Sequence, residues 1–392
     1  MGSIRIFSAV VVVALLTCGV GASTGLASAS SSSSATAVDL GVLGGTFSVA
    51  SAVSPSGQVV GQSTTASGQI HPFSWTQAGG MVDLGTLGGS FAYATDVSPS
   101  GQVVGNSLLA GFDNHAFSWT QSGGLVDLGT LGGSSSYAQA VNASGQVVGT
   151  STTAAEELHA FSWTQAGGMV DLGTLGGSSS FAQAVNASGQ VVGYSSIAGD
   201  SASHAFSWTP SRGMVDLGTL GGTESQAVDV SPIGQVVGNS STDPSDPFVP
   251  THAFSWTPKG GMVDLGTLGG DTSLAQRVNG SGQVVGSSNL TPDGASHAFS
   301  WTQAGGMVDL GALGGDYSTA WDVNARGKVV GSASLPDGST THAFSWTQAG
   351  GMVDLGTLGG AQSEAFAVNG TGDAVGSSDT AAGEVHATLW HT

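Results

Sequence analysis

Apolar residues fall into three kinds of stretch along this chain. One apolar run, 7–16, stands behind a weakly basic start that holds only Arg5. Further on, large and small side chains alternate, as in His159-Ala160-Phe161-Ser162-Trp163-Thr164, with the period of two that sends successive side chains to opposite faces of a strand. Between these lie short apolar pieces such as Val147-Val148 and Met169-Val170, bounded by glycine. There are no long stretches of helical period. The piece 134–175 therefore predicts four extended segments: 137–142, 146–151, 159–164 and 169–175. Ala143-Ser144-Gly145 and Ala166-Gly167-Gly168 are the predicted turns within it.

The same pattern recurs along the chain. Trp stands at 75, 119, 163, 208, 256, 301, 346 and 390, with a His four residues before each, from His71 to His386. Asp-Leu-Gly begins at 39, 83, 127, 171, 216, 264, 309 and 354. Four short strands per ~45 residues is the arithmetic of a propeller blade. The chain ends sharpen this. Segment 38–43 is a fourth strand with no His-x-x-x-Trp before it, and 386–390 is a third strand with no Asp-Leu-Gly after it. The surplus strand at one end supplies the one missing at the other. The expected fold is all-β: an eight-bladed β-propeller over 36–392, closed by the N-terminal strand. A parallel β-solenoid is the alternative, although it needs polar capping repeats, of which none is seen.

Segment 1–29 reads as a secretory signal peptide, with Ala27-Ser28-Ala29 as a small-x-small cleavage site. Its apolar run is short of the ~20 residues of a spanning helix. Leu15-Leu16-Thr17-Cys18 matches a lipoprotein box poorly. Residues 30–35 form a Ser-rich linker. Cys18 is the sole cysteine, so the mature chain has no thiol for a disulfide, a zinc site or a nucleophile.

Composition narrows the functional classes. Gly accounts for 65 of 392 residues, which disfavours helix, while 40% hydrophobic residues suffice for a core. Asp and Glu number 26 against 6 Lys and Arg, a net charge of −20. Neutralising phosphates needs many Lys and Arg, so duplex nucleic acid and anionic membrane surfaces are disfavoured partners.

The repeated residues have structural expectations. His159, Phe161 and Trp163 share one face, and the small face of the next sheet is expected to receive them. The repeated Ala of the first strand (Ala50, Ala94, Ala138 and their equivalents) is expected on that small side. Pairing Trp163 with Val170 sets Ser162 opposite Asp171; the alternative partner for Asp171 is His159. Sheets stacked ~10 Å apart are too distant for neighbouring His residues to share a metal. Gly176-Gly177 and its equivalents let the chain turn between units. Asn-x-Ser/Thr at Asn142, Asn186, Asn279 and Asn369 falls in the first turn, which Asn suits. No His-Glu-x-x-His, Gly-x-Ser-x-Gly or EF-hand loop is present, and no catalytic, cofactor or metal residues are assigned.

Variation between repeats is concentrated in the connection from the second strand to the third: 64–70, 108–114, 152–158, 196–203, 241–251, 289–296, 333–341 and 379–385. These loops carry Asp113, Glu156, Glu157, Asp200, Asp243, Asp246, Asp293, Asp337, Asp379 and Glu384. The first strands add unit-specific residues near the expected channel: Tyr93, Asp96, Tyr137, Phe181, Asp229, Arg277, Trp321, Asp322 and Phe366. Variable loops on a rigid scaffold are where binding sites arise. The expected function is a secreted, monomeric, non-enzymatic scaffold that binds a surface glycan or protein through this acidic rim. Alternatives are an enzyme acting on polysaccharide, a lyase or hydrolase using Asp96, Asp229 and Asp322, and a purely structural matrix component. No cofactor is expected; calcium on the acidic rim stays open.

The unit His-Ala-Phe-Ser-Trp-Thr-Gln-x-Gly-Gly-Met-Val-Asp-Leu-Gly-Thr-Leu-Gly-Gly resembles the HAF-repeat family of bacterial extracellular proteins. His-Ala-Phe itself occurs at His115, His159, His204, His252, His297 and His342. The first unit departs with His71-Pro72-Phe73 and the last with His386-Ala387-Thr388. The match spans about 38–390. It implies export from a bacterium, and neither an activity nor site residues.

Overall fold

The computed structural model describes residues 35–245, 250–292 and 294–392. Segment 1–29, expected to be a secretory signal, Ser30 to Ser34 of the expected linker, and the loop acids Asp246 and Asp293 lie outside the described residues. Residues 35–392 form one compact unit built of strands and turns. Among the described residues, no helix is long and apolar enough to cross a membrane.

The unit at 132–171 shows how the sequence makes each sheet. Strands Gly132–Val141, Val147–Thr153, Leu158–Thr164 and Gly168–Asp171 pair antiparallel in chain order. In the first turn, Asn142 Oδ1 accepts the N–H groups of Ser144 and Gln146, which is why Asn suits this place. The Asn142, Asn186, Asn279 and Asn369 side chains are buried in such turns. In the last turn, Thr164 Oγ1 accepts the N–H of Gly167 at 3.1 Å.

Register corrects two expectations. Thr164 pairs with Gly168, so Trp163 stands opposite Met169, and Phe161 opposite Asp171. The hairpin closes one residue earlier than expected, and a slip of one residue exchanges faces. Asp171 therefore lies on the His159 side, with His159 Nδ1 2.8 Å from Asp171 Oδ2. Ser162 is instead held by Gln146 Nε2 at 2.9 Å. The second correction concerns the repeated Ala. Ala138, Gly149 and Phe161 form one row, so Ala138 sits beside the Phe and not on the small face. The intervening glycine is obligatory. A Cβ at Gly149 would lie 1.9 Å from the Tyr137 carbonyl oxygen, and one at Gly105 would lie 2.8 Å from Phe117 Cζ. The small face consists of Val148, Ala160 and Leu172, which receive Ala182, Val191 and Phe206 of the next unit.

Phe73, Phe117, Phe161, Phe206, Phe254, Phe299 and Phe344 are fully buried in this way. Each stabilises the assembly by roughly 1.5–3 kcal/mol relative to exposure. A hydrogen bond joins the same surfaces. Ala160 N–H donates 2.8 Å to Ser180 Oγ of the next unit, and Ser180 Oγ–H donates 2.6 Å to Gly173 O. The pairs Ala116–Ser136, Ala205–Ser225, Ala253–Ser273, Ala298–Ser318 and Ala343–Ser363 repeat it. Between the first two units the donor position is Pro72, which has no N–H, and the acceptor position is Ala92. Both halves of the bond are lost together, so neither leaves a buried polar group unpaired.

The chain ends meet. Thr36–Asp39 pairs antiparallel with Val385–His391 as the fourth strand of the last sheet, and Leu40 N–H donates 2.9 Å to Ala387 O. Ala387 N–H in turn donates 2.8 Å to Ser48 Oγ of the first unit. Leu40, Val375, Ala387 and Leu389 pack with Ala50, Val59 and Phe73. In this last sheet Thr388 replaces the Phe, and Trp390 is fully buried where the other repeated Trp are partly exposed. Each first strand lies beside the next, and Gly359–Val368 lies beside Gly44–Val53. Single parallel bridges at Phe47–Val385 and Ile70–Phe91 join three consecutive units into a twelve-stranded sheet; the other five are separate four-stranded sheets. Antiparallel sheets packed face to face make a β-propeller repeat fold, and the parallel solenoid alternative is not adopted.

Candidate functional site

The repeated His and Asp serve one another. Every repeat places a His Nδ1 within 2.8–3.0 Å of an Asp carboxylate, from His71–Asp83 to His342–Asp354. His386 completes the set with Asp39, 347 residues away in the chain, at 2.8 Å. Asp171 Oδ1 also accepts the N–H of Gly173, turning the chain toward the next unit. Pairs this exposed contribute little each, ~0–1 kcal/mol.

Several of the loop acids are absorbed locally. Asp200 Oδ1 accepts Ser178 N–H at 2.7 Å, and Glu156 Oε2 accepts Ser134 Oγ–H at 3.2 Å. These bonds show that the variable loops and the connectors between units share one rim. Asp337 accepts the Thr340 hydroxyl and the N–H groups of Thr340 and Ser339, which in that order hold its carboxyl down at about 2. Asp379 Oδ2 accepts Gln362 N–H at 3.1 Å. Among the described residues, no three His, Cys, Asp or Glu side chains come together as a metal site.

The first-strand residues behave differently. Asp96, Asp229, Arg277 and Asp322 occupy one position, two residues before the first turn, where other units have Ala52, Ala140, Ala184 and Ala367. That position is at the opposite end of each sheet from the variable loops. Each carboxylate reaches the following unit: Asp96 Oδ2 accepts Val141 N–H at 2.9 Å, Asp229 Oδ2 accepts Val278 N–H at 2.9 Å, and Asp322 Oδ2 accepts Val368 N–H at 2.8 Å. Asp96 and Asp322 also accept the N–H of their own next residue, Val97 and Val323. Arg277 Nε lies 4.0 Å from Asp322 Oδ1, and its side chain is 51% exposed. Desolvation works against the Arg277 charge, but Asp229, Asp322 and Asp96 outweigh it and raise its pKa. Burial raises Asp322 and Asp96, opposed for Asp322 first by Arg277 and for Asp96 first by the Val141 N–H. Asp96 feels the charges of Arg277 and Asp229 although four and three units separate them in the chain.

The aromatic candidates form three groups. Tyr93 stands edge-on to Phe91 at 5.5 Å; burial raises its pKa, against a hydrogen bond with the Asn106 side chain, and Tyr137 is near enough to raise it further. Phe181 stacks on Tyr194 at 4.8 Å and 19°, and burial pushes the Tyr194 phenol up to about 12. Trp321 meets Phe366 at 6.5 Å and 62°, with Trp321 Nε1 donating 3.2 Å to Ser332 Oγ. The structure thus joins Asp229, Arg277, Asp322, Trp321 and Phe366 through consecutive units. Tyr93, Tyr137 and Phe181 stand on others.

Sequence reasoning missed Tyr194 and Phe112. Tyr194 stands where the other units carry Gln, Asn, Thr or Ser after Val-Gly, a departure of the same kind as Trp321. Phe112 is 84% exposed at a loop tip with φ 71°, where the first and last units carry Gly68 and Gly383.

The chain matches no protein-family model and no curated protein. Among solved structures it is similar to the β-propeller domain of the Trilobed protease from Pyrococcus furiosus, at 10% identity and TM-score 0.49, covering 79% of this chain and 98% of that one. It is also similar to TolB from Acinetobacter baumannii, at 12% identity and TM-score 0.41, covering 72% and 74%. A third is the BP39L lectin from Burkholderia pseudomallei, at 11% identity and TM-score 0.39, covering 82% and 98%.

Proposed function

We propose that this chain is a secreted, non-enzymatic binding protein. In this reading it is an eight-bladed propeller closed by its N-terminal strand, and the ligand is met by unit-specific side chains of the first strands. Closure is supported by the pairing of 36–39 with 385–391 and by the Ala387–Ser48 bond, which repeats the link used between most other units. Export is supported by the sequence of 1–29 and by the likeness to HAF-repeat proteins.

One observation carries the binding reading. In a chain that otherwise repeats itself, four charged residues depart from Ala at a single position and interact with one another. A polysaccharide hydrolase or lyase would ask Asp96, Asp229 and Asp322 to move protons. Each already accepts a backbone N–H from the following unit, which ties these carboxylates to the scaffold. The test is retention of the purified chain on glycan arrays and bacterial cell-wall fractions. Saturable retention that weakens when Asp229 and Arg277 are both replaced by Ala supports the reading; no retention on any surface contradicts it.

A further inference from the structure

We propose, resting on the binding reading above, that the ligand is a neutral, hydroxyl-rich saccharide held between the Arg277 guanidinium and the Trp321–Phe366 ring pair. Arg277 provides the donors. Its guanidinium makes no hydrogen bond among the described residues, since the Asp322 contact at 4.0 Å is beyond hydrogen-bond reach. Five N–H donors in a fixed fork are therefore open to acceptors on a ligand. Trp321 and Phe366 provide the apolar wall, and the Ser332 bond fixes the indole. A few polar groups placed against aromatic faces is the usual make-up of a small-molecule site. The ring of a sugar offers C–H groups to such a face and hydroxyls to such a fork.

Charge selects the class. Asp322 lies 4.0 Å from Arg277 and Asp229 holds the N–H of the adjacent Val278, so the carboxylates outnumber the cation and the cluster repels carboxylate, sulfate or phosphate groups. An amine is drawn by the aspartates, but it offers the Arg277 fork no acceptor and meets the guanidinium charge at close range. A hydroxyl pair satisfies the guanidinium without either penalty.

The experiment titrates the full chain with neutral oligosaccharides, uronic-acid oligosaccharides and chitosan oligosaccharides by calorimetry. Trp321→Ala removes the wall. Arg277→Lys keeps the positive charge between the aspartates while removing the fork, so the site's electrostatics survive even if Arg277→Ala fails to fold. Binding of a neutral oligosaccharide is expected, weakened about tenfold or more by Trp321→Ala and by Arg277→Lys at unchanged melting temperature. Phe112→Ala, at a distant loop tip, is expected to leave affinity unchanged. Neutral-sugar binding that both variants retain overturns the site, and binding of only uronate or chitosan overturns the ligand class; the wider reading survives either. If no saccharide binds but cell-wall fractions still retain the chain, this inference fails and the binding reading stands. If nothing retains the chain, both fail.

Discussion

The seam between the first and second units offers a test of how the sheets are joined. Pro72 and Ala92 are both buried and stand where other units place an Ala N–H and a Ser Oγ. Pro72→Ala restores a donor that meets no acceptor. The unpaired buried N–H costs ~1–3 kcal/mol, and losing proline's restriction of the unfolded chain costs ~0.4–1 kcal/mol more. The single variant is therefore expected to be destabilised by about 1.5–4 kcal/mol. Ala92→Ser alone gives a hydroxyl that can donate to Gly85 O, as Ser136 does to Gly129 O, and is expected to change stability by under about 1 kcal/mol. Together they rebuild the bond, worth ~0.5–1.5 kcal/mol net, which returns stability to within about 1 kcal/mol of the parent. Urea denaturation of the four proteins gives the coupling energy, expected at 1 kcal/mol or more in favour of the double variant. Additivity within about 0.5 kcal/mol, or a Pro72→Ala chain as stable as the parent, would refute the reasoning.

Two further outcomes follow from single positions. Gly149→Ala places a methyl 1.9 Å from the Tyr137 carbonyl oxygen, so a loss of about 3 kcal/mol or outright misfolding is expected in a denaturant titration. Asp354 has its carboxyl pKa held below the usual 3.8: burial alone would raise it, but the His342 bond and the Gly356 N–H outweigh burial. A lowered folded pKa contributes stability that is present above the unfolded value and is lost as pH falls through the folded one. Asp354→Asn should therefore melt below the parent at pH 6, with the gap closing under pH 4; a gap independent of pH contradicts this.

Strands and turns were legible because each strand of the unit alternates or ends at Gly, and each turn carries Asn, Ser or Gly at the places that need them. Register was not legible. Gln-Ala-Gly-Gly tolerates closure at either of two adjacent residues, and the choice decides whether Asp171 meets Ser162 or His159. The Ala–Ser bonds between units link residues 20 apart with no local signature; only the departure at Pro72 stood out, and the matching one at Ala92 takes its meaning from the structure. The charged first-strand residues stood out because Ala occupies their position elsewhere. Their placement at the end of the sheets away from the acidic loops follows from topology: a residue two before the first turn cannot share a rim with the second-to-third loop. The local use of the loop acids was hidden, since it depends on which backbone N–H each carboxylate meets.

The central claim is that the two chain ends complete one sheet. Amide hydrogen exchange of 36–40 measures this directly, against the fourth strand at 168–171 as an internal standard. The account predicts that Val38 and Leu40, set against the last third strand, exchange as slowly as their counterparts Val170 and Leu172. Exchange at the rate of an unstructured peptide, with the internal standard still protected, would contradict it.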